Sequence, residues 1–410
     1  MSRPKTIVVL ATLDTKGEEA QFLREEIARL GHVASLFDVG VVGEPACKAN
    51  QSRESLAELG GTSLAKLLEN PSREASTPVM IAGATKALKK LHDSGELGGV
   101  LGLGGFQGTG LCCAVMRSLP YGVPKVMVST AASGDTASYV GIKDITMMFS
   151  VGDILGLNDF TRGILTNAAG AVCGMASAEA QLVRTDSEKP LIGISNLGVL
   201  TKGTMRAIDR FREKGYECVV FHAIGSGGAA MEELMREGVI GAVFDYAMGE
   251  IADGVYEVLR AGEPERMTVA GKLGLPQVLV PGGSEHLGVL VEPNVVPDEW
   301  KNHDYVFHSP VVFVPRLRAD EFSRVAEEIG ARLQATGGNA VMMLPTDGTS
   351  AYTKPGGELR DTESDAAFFA ALKRALPDTI EVVERAFHAE HPEFVDECVD
   401  RLVELIERSS

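Results

Sequence analysis

Gly99-Val100-Leu101-Gly102-Leu103-Gly104-Gly105-Phe106-Gln107-Gly108-Thr109-Gly110-Leu111-Cys112-Cys113 decides the fold. It runs from an apolar strand, Gly99–Leu103, through a glycine loop, Gly104–Gly110, into an apolar helix, Leu111–Leu119. Read outward, the same plan repeats. Thr6–Ala11 is a strand, Thr12–Lys16 a polar loop, and Glu18–Leu30 a helix with its stripe at Phe22, Leu23, Ile27 and Leu30. Gly31 sits where that helix stops. Val33–Val39 and Lys125–Ser129 are further strands, with a helix near Thr85–His92 between them.

A second copy begins near residue 190. Leu191–Ser195 is a strand, Asn196–Gly203 a loop and Thr204–Lys214 a helix. Glu217–His222 leads through Ala223–Gly228 into a helix at Ala229–Glu237, and Gly241–Asp245 and Gln277–Val280 are strands. Thr15-Lys16-Gly17 recurs as Thr201-Lys202-Gly203, and Pro124–Val128 recurs as Pro276–Val280. The predicted fold class is α/β: two tandem Rossmann-like, doubly wound parallel-sheet domains related by internal duplication. The boundary is placed at 183/184, giving domains 1–183 and 184–410. Stretches 49–77, 292–305 and 346–365 read as hydrophilic surface.

Composition limits the functions. The chain has 410 residues, with 39 Lys+Arg against 56 Asp+Glu, a net charge of −17. That argues against a nucleic-acid surface or a polybasic membrane contact. No apolar run approaches the ~20 residues that span a bilayer, and the start lacks a signal-peptide pattern. The six cysteines form no C-x-x-C pair and read as small buried apolar residues. Together these predict a cytoplasmic, reduced protein.

In open α/β sheets ligands bind outside the carboxyl ends of the strands. Gly104–Gly110 fits neither a Rossmann dinucleotide fingerprint nor a Walker A loop. It reads as a phosphate cradle or as a tight turn that packs helix on sheet. Ser129–Asp135 offers hydroxyls to a phosphate or ribose, or caps the next helix. In Thr12–Glu18, Lys16 is placed to neutralise a phosphate and Asp14 to hold a hydroxyl or metal, or the segment is a helix cap.

In the second half His222 precedes Gly225-Ser226-Gly227-Gly228, a loop suited to an oxyanion beside an imidazole that moves protons. It is not a nucleophile elbow. Asp245, Glu250, His286 and His308 fall nearby if the repeat holds, without the spacing of a zinc helix. His222, Ser226, Glu250 and His286 are the catalytic candidates. Gly225, Gly227 and Gly228 are the substrate-binding ones, and no metal ligands are assigned.

Several segments together resemble the Tm-1-like ATP-binding family, also catalogued as UPF0261. They are Thr12–Glu18, Gly104–Thr109, Val128–Gly134 with Tyr139-Val140-Gly141, Ser150–Asn158 and Asn167-Ala168-Ala169. Phe221–Met231, His308-Ser309-Pro310 and Pro345–Ser350 continue the match. The resemblance implies two Rossmann-like subdomains, a homodimer or higher homo-oligomer, and ATP, with or without Mg2+. Thr12, Asp14, Lys16, Gly104, Gly105, Gly108, Thr109, Thr130, Ser133 and Gly134 would line the ATP pocket. The family loop reads closer to Gly-Gly-Ser-Gly-Gly-Thr, so Phe106 and Gln107 re-shape that pocket here. The expected function is a nucleotide-binding enzyme acting on a small acid or sugar acid at an interdomain cleft. The alternatives are a non-catalytic, nucleotide-responsive protein acting through a protein partner, and a solute-binding module without nucleotide.

Overall fold

The computed structural model describes residues 4–178, 180 and 189–409. It divides into two compact units, Met1–Leu182 and Val183–Ser410. The expected boundary at 183/184 lies outside the described residues.

Unit one runs β1 (Thr6–Ala11), α1 (Leu13–Arg29), β2 (Val33–Asp38), α2 (Arg53–Leu59), α3 (Leu64–Glu69) and α4 (Arg73–Asp93). It continues with β3 (Leu97–Gly104), α5 (Phe106–Arg117), β4 (Lys125–Ser129), α6 (Ala137–Val140), β5 (Thr146–Phe149) and α7 (Asp159–Ala178). The sheet order is β2-β1-β3-β4-β5, with every pair parallel. Alternate residues of a strand face opposite ways, so a sheet covered on both sides needs apolar residues at every position. In β1, Val8 and Leu10 pack toward Leu56, Met80 and Cys112, while Ile7 and Val9 pack toward Leu23, Ile27 and Val172.

Unit two runs β6 (Leu191–Asn196), α8 (Thr201–Glu213), β7 (Cys218–His222), α9 (Ser226–Arg236), β8 (Ile240–Ala247), α10 (Gly249–Val255), α11 (Val269–Leu273) and β9 (Gln277–Gly282). Then come β10 (Val289–Leu290), β11 (Tyr305–Ser309), β12 (Val312–Pro315), α12 (Ala319–Arg332), β13 (Ala340–Pro345), α13 (Thr362–Ala375), β14 (Glu381–Arg385) and α14 (Pro392–Ser409). The parallel sheet is ordered β14-β13-β9-β8-β6-β7. Strands β6, β7, β8, β9 and β13 therefore repeat the order of β1 to β5, and β14 extends the sheet. Phe211, Phe394 and Leu402 cover one face. Phe322 and Phe368, stacked at 3.7 Å between ring centroids, belong to the core on the other.

Several expectations change. The loop expected at Thr12–Lys16 is the first turn of α1, kinked at Lys16 (φ −126°). Most of the expected glycine loop is helical, because α5 starts at Phe106. The expected surface at 49–77 holds α2, α3 and the start of α4, with Leu56, Ala57, Leu64 and Leu67 buried. Ser52, Ser63 and Ser72 each cap one of these helices by accepting a backbone N–H three residues on. Within 292–305, Trp300 is buried beside β10-β12-β11, an antiparallel sheet that the repeat did not predict. Within 346–365, Thr349, Ser350 and Thr353 are fully buried. All six cysteines are free, and four are buried. Burial pushes the Cys112 and Cys113 thiols up, which leaves neither an activated nucleophile. No helix among the described residues is long and apolar enough to cross a membrane.

Close backbone approach accounts for Gly83 in α4. A Cβ there would lie 1.9 Å from the Leu56 carbonyl oxygen of α2. Gly83→Ala should therefore destabilise unit one by about 1–3 kcal/mol, although alanine is the better helix former. A lowered denaturant midpoint is the expected reading.

Candidate functional site

Unit one carries a cavity of about 620 Å3 at the carboxyl ends of β1, β2 and β3. Here β1 lies between β2 and β3, so successive connections leave in opposite directions, the point where doubly wound sheets bind ligands. Thr12, Asp14, Thr15 and Lys16 line it from β1–α1, and Gly104, Gly105, Phe106, Gln107 and Gly108 from β3–α5.

Two helices start at this cavity, and they differ. The first N–H of α1, from Leu13, donates to Asp38 Oδ1 at 3.1 Å, and Gly40 N–H donates to the same atom at 3.0 Å. Burial raises the Asp38 carboxyl despite those two bonds. The start of α1 is thus already met by a protein acid. Helix α5 is preceded by Gly105, which supplies no side-chain cap. Its first-turn N–H groups have no partner within the helix, and Phe106, Gln107 and Gly108, which carry them, line the cavity. At Gly104 a Cβ would fall 2.6 Å from Gly108 Cα, so only glycine allows this turn.

Six of the predicted residues line the cavity: Thr12, Asp14, Lys16, Gly104, Gly105 and Gly108. Lys16 Nζ also donates to the Ile154 carbonyl. Thr109, Thr130, Ser133 and Gly134 do not line it. Thr109 is buried with its Oγ1 2.6 Å from Ser129 Oγ, under the helix. Thr130 N–H donates to Gly104 O at 3.3 Å, and Ser133 and Gly134 follow on an exposed turn. Their strand, β4, lies beyond β3 from the switch point. Sequence reasoning missed Arg73, Ser76 and Thr77 of α4, which also line the cavity. The Ser72 cap was the available signal.

In unit two the glycine loop differs from the expected oxyanion site. Gly225 and Gly228 N–H groups donate to Glu250 Oε1 at 2.5 and 3.2 Å. Glu250 Oε2 accepts from Arg266 Nε at 2.6 Å, and Asp245 takes both terminal nitrogens of that guanidinium at 2.6 and 2.7 Å. Glu232 lies 3.4 Å from the same group. All four side chains are buried. A Cβ at Gly227 would meet the His222 carbonyl at 1.9 Å, and one at Gly228 would meet Glu250 at 2.2 Å. These glycines make room for an internal anion, and Glu250 is a helix-capping acid within an ion cluster. Ser226 is exposed at the start of α9 and lies outside the neighbouring cavity.

That cavity, of about 300 Å3, does gather His222 and His286, together with His308, Arg260 and Tyr352. Arg260 and Tyr352 were not foreseen. His286 is buried, with Nδ1 3.0 Å from Glu285 Oε1. Glu285 also accepts from the Thr349 and Ser350 hydroxyls. Burial alone would raise the Glu285 carboxyl. The charge and hydrogen bond of His286, with the Ser350 bond, outweigh burial and hold it at about 2. Burial raises the Tyr352 phenol, whose OH lies 3.0 Å from His308 Nδ1. Among the described residues no three His, Cys, Asp or Glu side chains group to hold a metal ion.

Two parallel sheets of matching strand order, each with a cavity at its strand ends, define a Rossmann-like α/β protein of two units. The chain belongs to the UPF0261 family. Residues 5–181 match the family's N-terminal domain and residues 189–406 its C-terminal domain, both described as uncharacterised. A UPF0261 protein of Clostridium tetani is 38% identical over 408 residues, covering 98% of this chain and all of that one. A UPF0261 protein of Mesorhizobium japonicum is 35% identical over 95% of this chain and 96% of its own. The ToMV resistance protein Tm-1(GCR237) of Solanum lycopersicum is 30% identical over the whole of this chain and 57% of its own length.

Two outcomes follow from the acids of unit two. Glu250→Ala leaves Arg266 with one fewer buried partner and should cost about 3–5 kcal/mol of stability in denaturant unfolding. An unchanged midpoint would return Glu250 to the catalytic candidates. Glu285, held below its ordinary 4.5, contributes stability that is complete above that pH and is lost as pH falls toward about 2. Glu285→Gln should flatten the pH dependence of unfolding across that window.

Proposed function

We propose that unit one binds a nucleoside phosphate, with its phosphates on the N-terminus of α5. The observation that carries this reading is the uncapped start of α5 in a cavity of about 620 Å3, beside an α1 whose first N–H already has an acid. Backbone N–H groups at a helix start bind anions without needing a cationic surface. Lys16 and Arg73 add positive charge at the wall. Exposed Phe106 offers a ring face to a base. Asp14 is the carboxylate placed to share a Mg2+ with the phosphates.

ATP is the nucleotide that the family resemblance favours, and a cytoplasmic homodimer belongs to the same reading. The lining offers only Asp14 and Lys16 as groups for proton transfer.

Gly105→Asp tests the reading. Gly105 has φ −75°, and the nearest atom to a Cβ there is Thr130 Oγ1 at 3.6 Å, so a side chain fits. The aspartate would cap α5 and occupy the place of the phosphate. Stability should hold or rise by a few tenths of a kcal/mol. Affinity for ATP and ADP in isothermal titration should fall about tenfold to a hundredfold. Equal ATP affinity in the two proteins, or no nucleotide binding by the wild type, would overturn the proposal.

A further inference from the structure

We infer that the cavity inside unit two is a second binding site, for a small monocarboxylate with an apolar body. The cavity lies at the carboxyl ends of β6, β7 and β9, where β6 separates β7 from β8, the same topological position as the cavity of unit one. The inference does not depend on the nucleotide reading, because every residue it uses belongs to unit two.

Charge is the first argument. The chain carries 56 acids against 39 Lys and Arg, yet among the described residues no Asp or Glu lines this cavity. Its polar wall is Arg260, three histidines and Tyr352. Two carboxylates stand nearby, and both are buried behind the donors they hold. Asp253 grips Arg260 through Nε and Nη2, each at 2.8 Å, and Glu285 grips His286 Nδ1 at 3.0 Å. A buried acid that orients a cavity-facing guanidinium presents its remaining N–H groups to a ligand.

Geometry is the second argument. With Nε and Nη2 committed, Arg260 directs Nη1 toward His286 Nε2, 3.5 Å away. That exceeds a good hydrogen bond between the two nitrogens. A carboxylate oxygen set to one side of that line accepts from Arg260 Nη1, and from His286 Nε2 when both ring nitrogens carry protons. Apolar Leu197, Val199, Ile224 and Val314 make up other parts of the wall. A charged head with an aliphatic tail matches both walls, and about 300 Å3 admits a ligand of that size.

Isothermal titration on the full chain tests the inference, with 4-methylpentanoate as the probe and 4-methylpentanamide as its uncharged counterpart. The acid should bind, and the amide should bind at least about tenfold more weakly. Arg260→Gln should abolish binding of the acid, although it also strands buried Asp253. Gly198→Leu provides the second variant. A Cβ at Gly198 meets only His308, at 3.8 Å, so the leucine should fold normally and fill the cavity mouth. Loss of binding in Gly198→Leu at an unchanged melting temperature supports the site. Absence of acid binding at millimolar concentration, equal binding of acid and amide, or full binding by folded Gly198→Leu would each overturn it.

Discussion

The buried guanidinium of Arg266 is the constraint on which the second unit depends. Removing it from water is costly unless every donor is met. Asp245 at the end of β8, Glu250 in α10 and Glu232 in α9 meet it, and Ser195 of β6 bonds to Asp245 at 2.6 Å. One side chain thereby ties two strand ends and two helices together. The same network sends Glu250 to the N–H groups of Gly225 and Gly228 in the glycine loop.

Seen from that network, the two units diverge at their helix starts. They share strand order, and each has a cavity beside its first strand. In unit two the start of α9 is closed by an internal acid, and the cavity-facing donors are side chains. In unit one the start of α5 stays open, and backbone N–H groups form the wall. Duplication preserved a cavity beside the first strand and changed the kind of group that lines it.

The strands were legible because both faces of each sheet are covered. Thr6–Ala11 and Lys125–Ser129 are apolar runs with sharp ends, and they appear as read. The glycine-rich segments were legible as lying at strand ends, while their helical parts and the partners of their N–H groups were not. Nothing around Gly225 indicates that an acid 25 residues later reaches its N–H. Arg260 escaped notice for a related reason. It follows α10 in an irregular stretch, and its meaning comes from Asp253 and His286, which only the fold brings near. The insertion β10 to β12 was illegible because the duplication offers no template for it.

The placement of acids has a kinetic side. A chain of −17 repels an anion at a distance, while Arg260 in the wall of the unit two cavity offers positive charge at close range. An anion bound there as proposed would be captured over a long-range barrier into a short-range well. Added salt shrinks the barrier, because the Debye length falls from ~30 Å at 0.01 M to ~8 Å at physiological ionic strength. The well, inside the protein, is screened far less. Association should therefore quicken with ionic strength, the reverse of an electrostatically steered encounter.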